Sequence, residues 1–158
     1  MRLLLDTTYL MPLSGIETDK FTKEDSKILF SAKNIYFLVS PVSLIELKWI
    51  IISKSKGNPV LRSKLRKEYR YLLEFLRYTT FIKLTPLVNE QIDEEENRLL
   101  DLGIKDYFDR IIFSTALVYA DALLTEDNLL RNVWNIHKNY RDSIDLYSWK
   151  ELRNILRP

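Results

Sequence analysis

Four acids occupy positions where a folded chain has to account for them: Asp6, Glu46, Asp109 and Asp127. Asp6 closes the apolar run that begins at Arg2, and Glu46 lies between Ile45 and Leu47. At about 100° per residue, Asp109 falls on the helical face that carries Ile112, Phe113, Ala116 and Ala120. A carboxylate on a core-facing stripe costs several kcal/mol unless something positive compensates it. Asp106 leans to the same side, and Asp127 stands at the far end of the apolar run that follows. If these acids converge, they repel one another and need a cation or shared protons. The chain has no cysteine and one histidine, His137, so that cation would be held by oxygen and would be hard, Mg²⁺ or Mn²⁺. Such a site suits metal-assisted hydrolysis of a phosphodiester.

Each acid also has a plainer role open to it. Asp6 could accept hydrogen bonds from the amides of Thr7 and Thr8, and Glu46 could complete a capping box with Ser43. Asp109 could pair with a buried arginine or belong to a helix capped at Asp106, and Asp127 could cap a helix beginning at Asn128. The four together, in one chain, are more specific than any one alone.

The elements that must position them alternate in type. Apolar, β-rich runs are read at Arg2–Asp6, Ile35–Val39, Phe81–Thr85, Ala122–Thr125 and Ile144–Tyr147. A near capping box at Thr22–Asp25 opens a helix to about Lys33, and Ser40-Pro41 opens another from Val42 to about Lys54. Lys56–Pro59 breaks that helix, and Leu61–Thr79 follows as a long basic one. Leu87–Leu102 reads as an acidic helix ending at Gly103, and Ile104 begins the helix that carries Asp109. Asn128–Trp134 reads as a short helix, His137–Asp142 as loop, and Ser148–Glu151 as the capping box of a last helix. Alternation of this kind predicts an α/β fold with a mainly parallel sheet, whose ligand site lies beyond the carboxyl ends of the strands. That edge is where Asp6, Glu46, Asp109 and Asp127 should meet.

A length of 158 residues predicts one domain, and the absence of cysteine fits a reducing cytoplasm. The start, MRLLLDTTYLM, meets its first acid too early for a signal peptide, and Leu44–Ile52 is interrupted by Glu46 and Lys48, so no membrane span is expected. The net charge of +2 conceals an asymmetry: ten Lys/Arg against Glu68 and Glu74 between Lys48 and Lys83 give +8 there and −6 elsewhere. Arg62, Arg66, Lys67 and Arg70, interleaved with Tyr69 and Tyr71, could grip RNA phosphates or an acidic partner. The leucines of the same helix could equally form a dimer seam while the charges are merely solvated. With only Gly15, Gly57 and Gly103, the chain lacks the glycine-rich turns of dinucleotide and P-loop sites. Asp6-Thr7-Thr8 is not the Asp-x-Asp of a haloacid-dehalogenase-like phosphatase.

LLLDTTYL, VSPVSLIELKWI and IKDYFDRIIFSTALVYADALLTED together resemble the PIN-domain family, above all its small VapC-type ribonuclease toxins. The matches run from Leu3 to Asp127, and the last block is the most specific. By position, Asp6, Glu46 and Asp109 resemble the family's core metal-binding acids, and Asp127 its fourth. Thr125 resembles the polar residue beside them, and Thr7 the neighbour that supports them. Asp106 would be a supporting residue or a substitute ligand. The resemblance implies a single PIN-like three-layer domain over residues 1–158 with a five-stranded, mainly parallel sheet flanked by helices. It further implies Mg²⁺- or Mn²⁺-dependent endoribonuclease activity, homodimers, and a small antitoxin that blocks the groove. A non-cleaving PIN-like RNA-binding or assembly module, or an rRNA-processing nuclease, are the alternatives. The long basic helix and the loop at His137–Asp142 depart from the pattern.

Overall fold

β1 (Arg2–Leu5) runs through the middle of the molecule and sets its layering. Leu3 and Leu5 enter one core and Leu4 enters the other, the period-two alternation of a strand buried on both faces. The computed structural model describes residues 1–156. β2 (Tyr36–Val39) and β4 (Ala122–Leu124) flank β1 in parallel, placing Leu38 and Leu123 beside Leu4. β3 (Ile82–Leu84) and β5 (Asp145–Tyr147) extend the sheet to the order β3-β2-β1-β4-β5, parallel throughout. The sheet is the five-stranded one the alternation and the resemblance led us to expect.

Helices close both faces. The Leu3/Leu5 face is covered by α1 (Lys23–Phe30), α2 (Pro41–Lys54), α3 (Pro59–Tyr78) and α8 (Trp149–Leu156), through Leu29, Leu47, Leu72 and Leu152 among others. The Leu4 face is covered by α4 (Glu90–Asp101), α5 (Tyr107–Tyr119), α6 (Asn128–Ile136) and α7 (Lys138–Ser143), through Leu99, Phe113, Val133 and Tyr140. The result is a three-layer α/β arrangement.

Helix starts follow local chemistry. The Thr22–Asp25 and Ser148–Glu151 boxes form, and Ser40 accepts from the Val42 amide with Pro41 in the first turn. Gly103, at φ +91°, lets the Ile104 amide return to the Leu99 carbonyl at 3.1 Å, closing α4 and turning the chain toward Asp106. Most of the leucine stripe of α3 goes to the core: Leu65, Leu72 and Leu76 are buried while Leu73 stays exposed, and the Tyr69 hydroxyl donates to the Leu44 carbonyl at 2.9 Å.

Several boundaries and one assignment differ from expectation: α3 begins at Pro59 rather than Leu61, α5 at Tyr107 rather than Ile104, and α6 runs to Ile136 rather than Trp134. α1 stops at Phe30 rather than near Lys33, and α4 starts at Glu90 rather than Leu87, because Asn89 accepts from the Ile92 amide as its cap. His137–Asp142 is not loop but lies in the turn and helix of α7. His137 offers that helix no side-chain cap, so nothing local announces it. It is held from outside, by Tyr140 against Phe113 and by the Trp134 indole donating to the Ile144 carbonyl at 2.8 Å. Among the described residues no helix is long and apolar enough to cross a membrane.

Candidate active site

From β1 the chain moves outward to β2 and β3, then returns to the other side of β1 as β4. Strand order therefore reverses at β1, and a crevice opens beyond the carboxyl ends of β1 and β4. Asp6 and Asp127 are delivered there by the ends of those strands. Glu46 comes from the second turn of α2, and Asp109 from the first turn of α5. All four line one cleft of about 220 Å³, with Thr7, Glu126 and Lys20 on its walls.

The cleft is wired from below. Asp6, only 7% exposed, accepts from the Thr7 amide at 2.6 Å and from the Thr125 hydroxyl at 2.7 Å. Its own amide donates to the Leu124 carbonyl at 3.1 Å, which ties the ends of β1 and β4 together. The Thr125 hydroxyl oxygen also accepts from the Asp127 amide at 3.1 Å, so one threonine links the two aspartates. The Thr7 hydroxyl donates to Glu46 in turn. The two threonines expected beside the acids are therefore their hydrogen-bond donors.

The plainer roles resolve unevenly. Asp127 does cap α6, accepting from the Leu130 amide at 2.7 Å through Oδ1, yet it also lines the cleft. Glu46 does not box with Ser43, whose buried hydroxyl has no partner; it bonds to Thr7 instead. Asp109 does not pair with the buried arginine beside it. Arg110 bonds to Glu96 of α4 and, through Nη1, to the carbonyls of Ile104 and Lys105 at 2.8 Å each. That buried clamp fixes the turn leading into α5 and so the height at which Asp109 reaches the cleft. Asp106 is the α5 cap, accepting from the Phe108 amide at 2.8 Å and the Asp109 amide at 3.3 Å; it does not line the cleft.

The electrostatics are those of an uncompensated acid cluster. Burial pushes the Asp6 carboxyl up to about 6, against the pull of the Thr125 and Thr7 bonds. Burial, then the charges of Asp6 and Asp106, pushes Glu46 to about 7 although the Thr7 hydroxyl opposes it. Asp109 also rises to about 7, from burial first and then from Asp127, Asp6, Asp106 and Glu46. A bound cation would relieve this strain. Among the described residues no three acids close tightly enough to form a complete cage around one ion. Mg²⁺ does not ask for one, since it keeps several waters and binds through one or two carboxylates plus substrate oxygens. The all-oxygen chemistry of the cleft suits a hard, hydrated divalent cation over a soft one.

Sequence reasoning missed Glu126 and Lys20. Glu126 separates Thr125 from Asp127 in sequence, and its Oε1 accepts from the Tyr9 hydroxyl at 2.7 Å and the Trp149 amide at 2.8 Å. Only the fold brings those partners together, so no local signal marked it. Lys20 lies in the connection before α1, outside any helix or strand, where a single lysine carries no pattern. The basic residues singled out on α3, Arg62, Arg66, Lys67 and Arg70, share a separate open depression of about 590 Å³ with Pro59 and Ser63.

Neither family models nor curated proteins match this sequence. Solved structures do. A chain of VapBC2 from Rickettsia felis, in a complex bound to a DNA fragment from their promoter, superposes with a TM-score of 0.59 at 20% identity, covering 94% of this chain and 99% of that one. A chain of VapBC-1 from nontypeable Haemophilus influenzae gives a TM-score of 0.56 at 18% identity, covering 95% and 99%. The fold is a PIN-like three-layer α/β fold, shared with these chains. At these identities the likeness speaks for architecture, and the acids of the cleft have to argue the chemistry on their own.

Proposed function

We propose that this protein is a divalent-metal-dependent endoribonuclease of the VapC type, the toxin of a toxin–antitoxin pair. The observation that carries the proposal is the convergence of Asp6, Glu46, Asp109 and Asp127 on one cleft at the reversal of strand order, three of them held at raised pKa by burial and mutual charge. An acid cluster under that strain has a use only when a cation or a proton relieves it. Bound Mg²⁺ or Mn²⁺ would activate water and neutralise the charge that develops on the phosphate.

The chain's own residues divide the remaining work. Asp6 and Asp127, joined by Thr125, form the fixed floor of the cleft, and Glu46 and Asp109 face it from two helices. Hydrolysis adds the water oxygen to phosphorus and breaks one phosphorus–ribose oxygen bond. The attacking water loses a proton, and the departing oxygen takes one up. Arg62, Arg66 and Arg70 recur every four residues, about 6 Å apart along the α3 axis, and would hold the RNA strand or an acidic antitoxin segment away from the cleft. The VapBC likeness supports an antitoxin partner, and a homodimer in the cytoplasm accords with this reading.

Purified protein should cleave labelled single-stranded RNA with Mg²⁺ or Mn²⁺ and not in EDTA. Asp6→Asn should lose at least about 100-fold in rate while melting as a folded protein, since an essential charged group is removed without changing its shape. Wild type that binds RNA but leaves it intact with either metal would support the non-cleaving reading instead.

A further inference from the structure

Among the described residues, Lys20 is the one basic side chain lining a cleft that five carboxylates share with Thr7, Thr8, Met11 and Ile50. Its ammonium lies 3.4 Å from the Glu126 carbonyl, yet none of the ion pairs among the described residues includes it. A flexible lysine near five carboxylates would ordinarily collapse onto one of them. This one donates instead to a main-chain carbonyl at the rim.

The scaffold that holds it is built in. Thr18 closes a tight turn, donating through its hydroxyl to the Phe21 carbonyl at 2.7 Å and accepting from the Phe21 amide at 3.0 Å. Phe21, next to Lys20, is fully buried edge-on between Tyr9 and Trp149, with ring centroids 4.8 and 5.1 Å away. Tyr9 and the Trp149 amide both bind Glu126 Oε1, the side chain beside the Asp127 cap. Residue 20 is thereby fixed to the same framework that fixes the acids. An aromatic stack and a carboxylate bound twice are a large investment for a loop whose exposed lysine does nothing.

From this placement we propose that Lys20 binds the phosphate of the RNA strand at the cleavage position, an inference that rests on the nuclease reading above. A lysine cannot ligate a metal ion, and with the acids neutralised by one the remaining negative charge in the cleft is the substrate's phosphate. The ammonium is a compact point charge that suits a non-bridging phosphate oxygen. Lys20 is then a substrate-contacting catalytic residue supplied by the loop before α1, on the same cleft as the helix-borne acids.

Lys20→Ala and Lys20→Arg in the full chain test this. The side chain is exposed, so both variants should melt as wild type does. With a fluorescein-labelled single-stranded RNA and a Mn²⁺ titration, Lys20→Ala should lower kcat/KM roughly 10- to 100-fold, the worth of one charge-assisted hydrogen bond. Half-saturation by Mn²⁺ should stay within about twofold, and Lys20→Arg should recover most of the loss. In fluorescence anisotropy with Ca²⁺ in place of Mn²⁺, Lys20→Ala should reduce the salt slope of RNA binding by about 1. A loss that disappears at saturating Mn²⁺ would mean that Lys20 acts on the metal site, and the proposal would be overturned. So would unchanged kcat/KM. Should wild type fail to cleave, the nuclease reading falls separately, and an unchanged salt slope would then overturn the Lys20 proposal on its own.

Discussion

Neutralising Asp109 should stabilise the metal-free protein while abolishing its activity. The carboxyl stands at about 7 in the folded chain against 3.8 ordinarily, raised by burial and by four neighbouring acids, with no hydrogen bond to hold its charge. Between those two values the unfolded chain has released the proton and the folded chain still keeps it. Stability is therefore fully present below about pH 4, falls as pH rises through the window, and stays reduced above about pH 7. A carboxyl raised from 3.8 to about 7 corresponds to ~4 kcal/mol. Asp109 is partly open to the cleft and its neighbours relax once it is neutral, so about 1–2 kcal/mol is the fair expectation. Asp109→Asn keeps the shape and removes the charge. By calorimetry in EDTA near pH 8 it should melt roughly 2–8 °C above wild type. Near pH 5 the gap should narrow, and below about pH 4 it should close, because the carboxyl is then protonated in the unfolded chain as well as in the folded one. Millimolar Mg²⁺ should raise the wild-type melting temperature and barely move that of the variant. Melting of Asp109→Asn at or below wild type in EDTA would refute the argument that this acid is strained for want of a cation.

The Arg110–Glu96 pair should behave in the opposite way. Glu96→Ala leaves a buried guanidinium uncompensated and should cost about 3–5 kcal/mol, read as a fall in the denaturation midpoint; a loss below ~1 kcal/mol would show the pair to be solvated. Asp127→Ala removes both a cap and a cleft acid, so it should lose about 1 kcal/mol of stability and also cleavage, whereas Asp127→Ser should restore the first and not the second. Reversing Arg66 and Arg70 to Glu should weaken RNA binding with a shallower salt dependence, and unchanged binding by anisotropy would leave α3 as a solvated face.

What could be read from sequence was whatever is decided within a few residues. Ser40-Pro41, Thr22–Asp25 and Ser148–Glu151 announce helix starts because the capping atoms are local, and Leu3, Leu4 and Leu5 announce a doubly buried strand because continuous apolarity has few other uses. α7 was lost for the complementary reason: its helix rests on Tyr140 meeting Phe113, twenty-seven positions away, and on an indole hydrogen bond from Trp134. Glu126 was lost in the same way, since Tyr9 and Trp149 reach it from opposite ends of the chain.

Asp127 shows why the site was nevertheless within reach. A cap and a ligand looked like rival explanations, but a carboxylate has two oxygens, and here one caps α6 while the residue still lines the cleft. Asp6 follows the same economy, anchored by Thr7 and Thr125 while it lines the cleft with Asp109. Local bonds of this kind do not argue against function. They are how a chain with few glycines and no cysteine holds repelling carboxylates in place before anything positive arrives to join them.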